Sequence, residues 1–289
     1  MSFQTERPEP GPYPAKQTHA SGGADTDVIA IAPDRAEAEG ILEDTALPDP
    51  FGEDTVARAK NLMARYPQSR SALLPMLHLV QSVQGYVSQE GIAFCGRQLD
   101  LSDAEVSAVA TFYTMYKRKP CGEHLVSVCT NTLCAVLGGD AIYQALTEHL
   151  GSYGKPLGHE ETVGEPGEPG SLTVEHAECL AACDLAPVLQ VNYEYYDNQT
   201  PEKAVELVDA LRRGEKPAPT RGAPLSDFKS VELQLAGFFP EDEEAFRADV
   251  DGPSQAVETL RGARLAQERG WTAPPAEEDV PLPTVEEKK

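Results

Sequence analysis

The sequence predicts an α+β / α/β protein: a small N-terminal helical bundle, then a compact α/β domain, with acidic tails at both ends. Three observations carry this prediction. Apolar residues recur at helical spacing from 51 to 116. Between 121 and 216, short β-rich runs alternate with two amphipathic helices. Outside these stretches the chain turns Pro-rich and acidic. The boundaries that follow are 1–50 for a disordered N-terminal tail, 51–118 for the bundle, 119–218 for the α/β domain and 219–289 for a mostly disordered C-terminal extension.

Each element has its own warrant. Val56, Ala59, Leu62 and Met63 share one face of a first helix that ends near Pro67. Leu73, Leu74, Met76, Leu77, Val80 and Val83 make a second, closed by Gly85, with Pro75 in its first turn where proline is tolerated. Ser88 caps a third, turning Ile92, Ala93 and Phe94 inward. Ser102 and Glu105 form a capping box for a fourth, followed by Val106, Val109, Ala110 and Tyr113. HLVSVC (124–129) alternates as a strand. A helix from Ala141 to Leu150 starts at Asp140 and stops at Gly151. GEPGEPG (164–170) is a turn-rich loop before strands LTVEHA (172–177) and VLQVNY (188–193). Thr200 caps a last helix with Pro201 at its first position and Ala204, Leu207, Val208 and Leu211 on one face. The order β-α-β-β-α is thioredoxin-like.

The tails carry the same sign of charge. Residues 1–50 hold three basic against ten acidic residues, and 219–289 hold eight against fifteen. Apolar islands at Leu233–Phe239 and a weak helix near Ala256–Gln267 interrupt the second, but no independent core is visible there. The expectation is a solvated extension whose removal leaves the site spectrum intact.

Composition excludes several functions. A formal net charge of −23 leaves no basic surface to neutralise phosphates, so no nucleic-acid partner is expected. No apolar run approaches the roughly 18–20 residues needed to span a bilayer, and no direct membrane insertion is expected. The N-terminus MSFQTERPEP lacks a basic region followed by an apolar stretch, which points to a reducing cytoplasm. There, clustered cysteines act as metal ligands or redox groups more often than as disulfides.

Four of the six cysteines form two tight pairs, Cys129 with Cys134 (CTNTLC) and Cys179 with Cys183 (ECLAAC). Thiolates suit zinc and iron–sulfur clusters alike. Neither pair is the C-x-x-C knuckle common at zinc. Their neighbours Ala135, Leu180, Ala181, Ala182 and Ala186 suit a buried cluster whose sulfurs accept backbone hydrogen bonds. Spacing and context rank a [2Fe–2S] cluster first, zinc second and a redox dithiol third. A Rieske centre fails because no C-x-H pair exists. Cys95 and Cys121 read as structural, and His159 and His176 as surface or strand histidines. No GxGxxG follows a strand, no P-loop is present, and no catalytic Ser/His/Asp set can be singled out.

The segments FYTMYKRKPCGEHLVSVCTNTLC (112–134) and ECLAACDLAPVLQVNYEYYD (178–197) resemble a known family. It is that of the E subunits of NADH–quinone oxidoreductase, respiratory complex I, the counterparts of the mitochondrial 24-kilodalton protein. The resemblance spans about 51–216 and includes both cysteine boxes and Ala186-Pro187. It implies a helical bundle followed by a thioredoxin-like ferredoxin domain with one [2Fe–2S] cluster. Cys129, Cys134, Cys179 and Cys183 fall on the family's iron-ligand positions. It further implies a flavin- and NADH-binding partner, the F subunit, which carries FMN, with the iron–sulfur G subunit nearby. The location implied is cytoplasmic, peripheral to the inner face of the plasma membrane. Leu133 departs from a proline common before the second cysteine, GEPGEPG alters the loop between strands, and the extension from 219 lies outside the resemblance. Similar modules serve NAD-linked hydrogenases and formate dehydrogenases, and a structural zinc module is the alternative of another class.

Overall fold

The computed structural model describes residues 50–240 and 257–271. By compactness the chain divides after Pro48, and every described residue falls in the second unit. The tail expected over 1–50 lies outside the described residues but for its last position.

The bundle follows the apolar spacing. Helix α1 spans Glu53–Ala64, a 3₁₀ turn spans Ser69–Ala72, and α2 (Leu73–Gln84), α3 (Gln89–Leu99) and α4 (Asp103–Phe112) complete it. The predicted caps form: Ser88 Oγ accepts from the Gly91 N–H at 2.9 Å, and Ser102 and Glu105 exchange both capping-box bonds. Gly85 ends α2 at φ 79°, a left-handed position that a side chain would strain. Helix α2 is central, with Leu73, Met76, Leu77, Leu79 and Val80 buried. Leu74 and Tyr113, counted among the apolar residues of their helices, are each 39% exposed; Tyr113 lies past the end of α4.

A mixed five-stranded sheet makes the second layer. Its strands are β1 (His124–Cys129), β2 (Glu161–Val163), β3 (Leu172–Ala177), β4 (Leu189–Val191) and β5 (Glu194–Tyr196), in the order β2-β3-β1-β4-β5. Only β1 and β3 run parallel. Helices α5 (Thr132–Val136), α6 (Gly139–Leu150) and α7 (Pro201–Arg212) follow their strands. Val126, Val128, Leu172, Val174, Leu189 and Val191 meet the apolar faces of α6 and α7. The opposite face carries Ser127, Glu175 and Gln190, which is why β1 is buried along its whole length yet alternates in polarity.

Sequence reading found three strands and missed two. Strand β2 has only three residues, and β5 follows β4 after the two-residue turn Asn192-Tyr193, both at positive φ. The run 188–193 therefore contains a strand only at Leu189–Val191. Helix α6 begins earlier than expected: Gly138 is its cap and Asp140 lies inside its first turn.

The extension departs most from expectation. Residues 220–238 are packed, and α8 (Phe228–Leu235) lies along α2. Phe228 and Glu232 are fully buried. Glu232 bonds His78 of α2 at 2.6 Å and accepts from the Tyr193 hydroxyl at 3.0 Å. Asn192 donates to Ser226 O at 2.7 Å while its side-chain oxygen takes the Leu125 N–H, also at 2.7 Å. Thus α8 ties the bundle to the sheet, and removing 219–289 would uncover both. The mixed composition hid this, because the anchoring residues Leu225, Phe228, Glu232 and Ala236 are scattered among polar neighbours. The weak helix expected near Ala256–Gln267 is α9 (Val257–Glu268).

A second tie joins the layers. Gln81, buried in α2, donates to Met115 O and accepts from the Lys117 N–H at 2.7 Å. Lys117 Nζ then pairs with Glu175 of β3 and, at 3.3 Å, with Glu160. Burial opposes that charge, but the two carboxylates outweigh it and hold the ammonium above its ordinary pKa.

Replacing Glu232 with Ala leaves buried His78 and the Tyr193 hydroxyl without their carboxylate partner. Breaking such a buried pair costs roughly 3–5 kcal/mol. Urea unfolding of E232A should show a loss of that order, whereas a solvated extension would give no measurable loss.

Candidate iron–sulfur site

The site is built from one end of the sheet. Cys129 is the last residue of β1, and the parallel register sets it opposite Ala177 of β3. Two residues beyond Ala177 comes Cys179, so both cysteine loops leave the sheet side by side. Asn131 Nδ2 bridges them by donating to Glu178 Oε2 at 2.8 Å. Cys134 sits within α5, and Cys183 opens the 3₁₀ turn Cys183–Leu185. The structure therefore places both cysteine pairs, Cys129 with Cys134 and Cys179 with Cys183, at one end of the sheet.

The two pairs differ in exposure. Cys129 and Cys134 are each 2% exposed and pack with Ala182 and Val188, whereas Cys179 and Cys183 are exposed. The Cys179 and Cys183 sulfurs stand 3.6 Å apart. That is far beyond a disulfide, at ~2.05 Å. It is close to the roughly 3.8 Å edge between two thiolates on one tetrahedral metal with ~2.3 Å bonds. Among the described residues no group of three or more His, Cys, Asp or Glu side chains is gathered tightly enough for one ion. The thiols come as two pairs, the arrangement that two irons with two cysteines each require.

The pairs sense each other. Burial pushes the Cys134 thiol up to about 11; the Val188 N–H, donating to its sulfur, opposes this, and Cys129 and Cys183 add to it. Cys183 is raised first by its hydrogen bond with Cys179, then by the Cys179 charge, and also by Cys129. Cys134 and Cys183, one from each pair and both disfavoured from ionising alone, are suited to cationic metal, which takes up thiolate and releases the proton. The donor set is all sulfur, and the Val188 N–H is a backbone donor of the kind that cluster sulfurs accept.

Gly139 holds this geometry from behind. A Cβ there would overlap the Cys129 carbonyl and come within 3.0 Å of the Cys134 backbone. Only glycine lets α6 start so close to both cysteines.

Cys95 and Cys121 lie apart from the site. Burial pushes each thiol up to about 12. His159 and His176 are exposed, as read, but their rings stack with centroids 4.3 Å apart. They line a cleft of about 310 Å³ with Lys117, Glu175 and Cys179. Spacing had no means of finding Val188, Gly139 or Tyr195, whose hydroxyl donates to Leu180 O between the second pair at 2.6 Å.

Gly139→Ala should destabilise the chain by roughly 1–3 kcal/mol, the usual cost of overpacking. The thermal melt should fall accordingly. An unchanged melt would mean that α6 can shift away from the cysteines.

Comparison with known proteins agrees with this architecture. The thioredoxin-like [2Fe–2S] ferredoxin family profile matches residues 59–212. The E subunit of NADH-quinone oxidoreductase in Mycobacterium tuberculosis is 51% identical over 251 residues, covering 86% of this chain and 94% of that protein. The protein of the same name in Rickettsia bellii is 34% identical, covering 56% of this chain and 93% of its own. NADH dehydrogenase [ubiquinone] flavoprotein 2, mitochondrial, of Dictyostelium discoideum is 29% identical, covering 64% and 71%. The chain belongs to the family of NADH-quinone oxidoreductase E subunits, which are thioredoxin-like [2Fe–2S] ferredoxins.

Proposed function

We propose that this chain is the electron-transfer subunit of an NADH–quinone oxidoreductase, with Cys129, Cys134, Cys179 and Cys183 as the four iron ligands of one [2Fe–2S] cluster. The observation that carries the reading is the convergence of two thiol pairs, one buried and one exposed, at the end of a parallel strand pair. Bound there, the cluster supplies a one-electron redox centre. The buried pair, backed by Val188 and α6, excludes water from one side. The exposed Cys179 and Cys183 would hold the cluster on the side open to an FMN-carrying, NADH-oxidising partner, the F subunit. The iron–sulfur G subunit is the second neighbour.

The surface supports a protein partner. Leu133, Val136 and Leu137 on and just after α5 are 44%, 79% and 54% exposed beside buried Cys134. Apolar side chains grouped so near a redox site suit a docking face. No helix among the described residues is long and apolar enough to cross a membrane. Attachment to the inner face of the plasma membrane is thus proposed to come through the assembled complex.

Two variants test the ligand set and one mixture tests the role. Cys129→Ser and Cys179→Ser should each lose most visible absorbance and lower the melt, because metal binding and folding are coupled. Full absorbance in either would remove that residue from the set. With NADH and the flavin-carrying partner, the wild-type chain should bleach as its cluster is reduced, and without that partner it should not. Co-purification with a quinone-reducing arm fits this reading; a hydrogenase or molybdenum subunit would reassign the chain to a soluble NAD-linked enzyme.

A further inference from the structure

Beyond residue 212, where the family profile ends, the chain returns to the edge of the sheet. The Thr220 N–H donates to Tyr195 O at 2.9 Å, and Thr220 Oγ1 donates to Asp197 Oδ2 at 2.7 Å. Arg221 pairs with Tyr195 as an antiparallel bridge residue. Its guanidinium donates to Asp197 Oδ1 at 3.0 Å and lies 4.2 Å over the Tyr195 ring. The Arg221 Nε is buried and has no acceptor among the described residues. A buried donor left unpaired is costly. Here the stacked ring face compensates through a cation–π contact.

The other end of Tyr195 reaches the site. Its ring packs in the apolar group around Cys129 and Cys134, and its hydroxyl donates to Leu180 O at 2.6 Å. The Leu180–Ala181 peptide lies between Cys179 and Cys183. A trans peptide is planar, so pinning the Leu180 carbonyl turns the Ala181 N–H to the opposite side. Ala181 itself sits at φ 59°, a left-handed conformation that costs a non-glycine residue roughly 1–2 kcal/mol. A loop held in that state needs an external restraint, and Tyr195 is the side chain bonded to it.

We infer that Tyr195, held by Arg221 from the extension, is a positioning residue for the cluster. It fixes the Leu180–Ala181 peptide so that the Ala181 N–H serves as a donor to cluster sulfur, and it thereby sets the reduction potential. Donors to sulfur favour the more negative, reduced state. Losing the restraint therefore lowers the potential. This inference rests on the reading of the four cysteines as ligands. It goes beyond that reading by giving the 220–221 segment a part in the redox chemistry.

The test uses the full-length chain, purified without oxygen, as wild type, Tyr195→Phe, Arg221→Gln and Arg221→Lys. Each is titrated with dithionite and mediators while electron paramagnetic resonance follows the reduced form, and each is melted. Y195F should shift the reduction equilibrium three- to tenfold toward the oxidised state, roughly 30–60 mV at ~59 mV per decade for one electron. Its g values should move as well. R221Q should shift in the same direction by less, and R221K should restore most of the wild-type potential. Lower melts with unchanged potentials and g values would overturn the inference, leaving Tyr195 and Arg221 as anchors of the extension alone. If Y195F does not fold, the R221Q and R221K pair decides by the same readout. A wild-type chain without iron and sulfide would fail the ligand reading first, and the inference with it.

Discussion

The parallel pairing of β1 with β3 is the constraint from which the site follows. Antiparallel neighbours would send the two cysteine loops to opposite ends of the sheet. Parallel pairing sends both the same way, and the register that sets Cys129 beside Ala177 decides which residues meet. A slip of one residue would turn every alternating side chain to the wrong face. Val126, Val128, Leu172 and Val174 would then leave the core shared with α6 and α7. The hydrophobic effect thus fixes the register, and the register fixes where the four sulfurs lie.

That sheet has to be covered on its other face, and the cover is unusually polar. Ser127 donates to Glu175 at 2.7 Å, and Glu175 receives Lys117 from the segment that leaves the bundle. On the far side of the same interface, His78, Tyr193 and Glu232 form a second buried set. Such groups contribute little net stability compared with apolar packing, but they admit few alternative arrangements. They therefore specify how α2 and α8 lie against the strands. The cleft and the bundle are joined through these contacts together with the small apolar cluster of Cys121, Leu125 and Phe228.

Much of this was legible in the sequence for physical reasons that can be named. The caps at Ser88, Ser102 and Thr200 act locally, within three residues, so sequence alone reveals them. The long strands β1 and β3 carry enough alternation to be read. Cysteine spacing selected four of six thiols because pair ligation constrains chain separation directly. What escaped depends on distant partners. Strands β2 and β5 exist because β3 and β4 lend them hydrogen bonds. Helix α8 is amphipathic only toward a groove supplied by α2 and Tyr193. Gly139 reads as an ordinary glycine until the Cys129 carbonyl lies against it. Tyr195 and Arg221 are separated from the cysteines in sequence and meet the site only through the folded sheet.

The central claim is that the four thiols hold two irons rather than one zinc. Iron, zinc and acid-labile sulfide measured on protein purified without oxygen test it most directly, together with electron paramagnetic resonance after dithionite reduction. About two iron and two sulfide per chain, with a rhombic one-electron signal, are the predicted result. One zinc without sulfide, in protein never exposed to air, would contradict the account and make the chain a structural module.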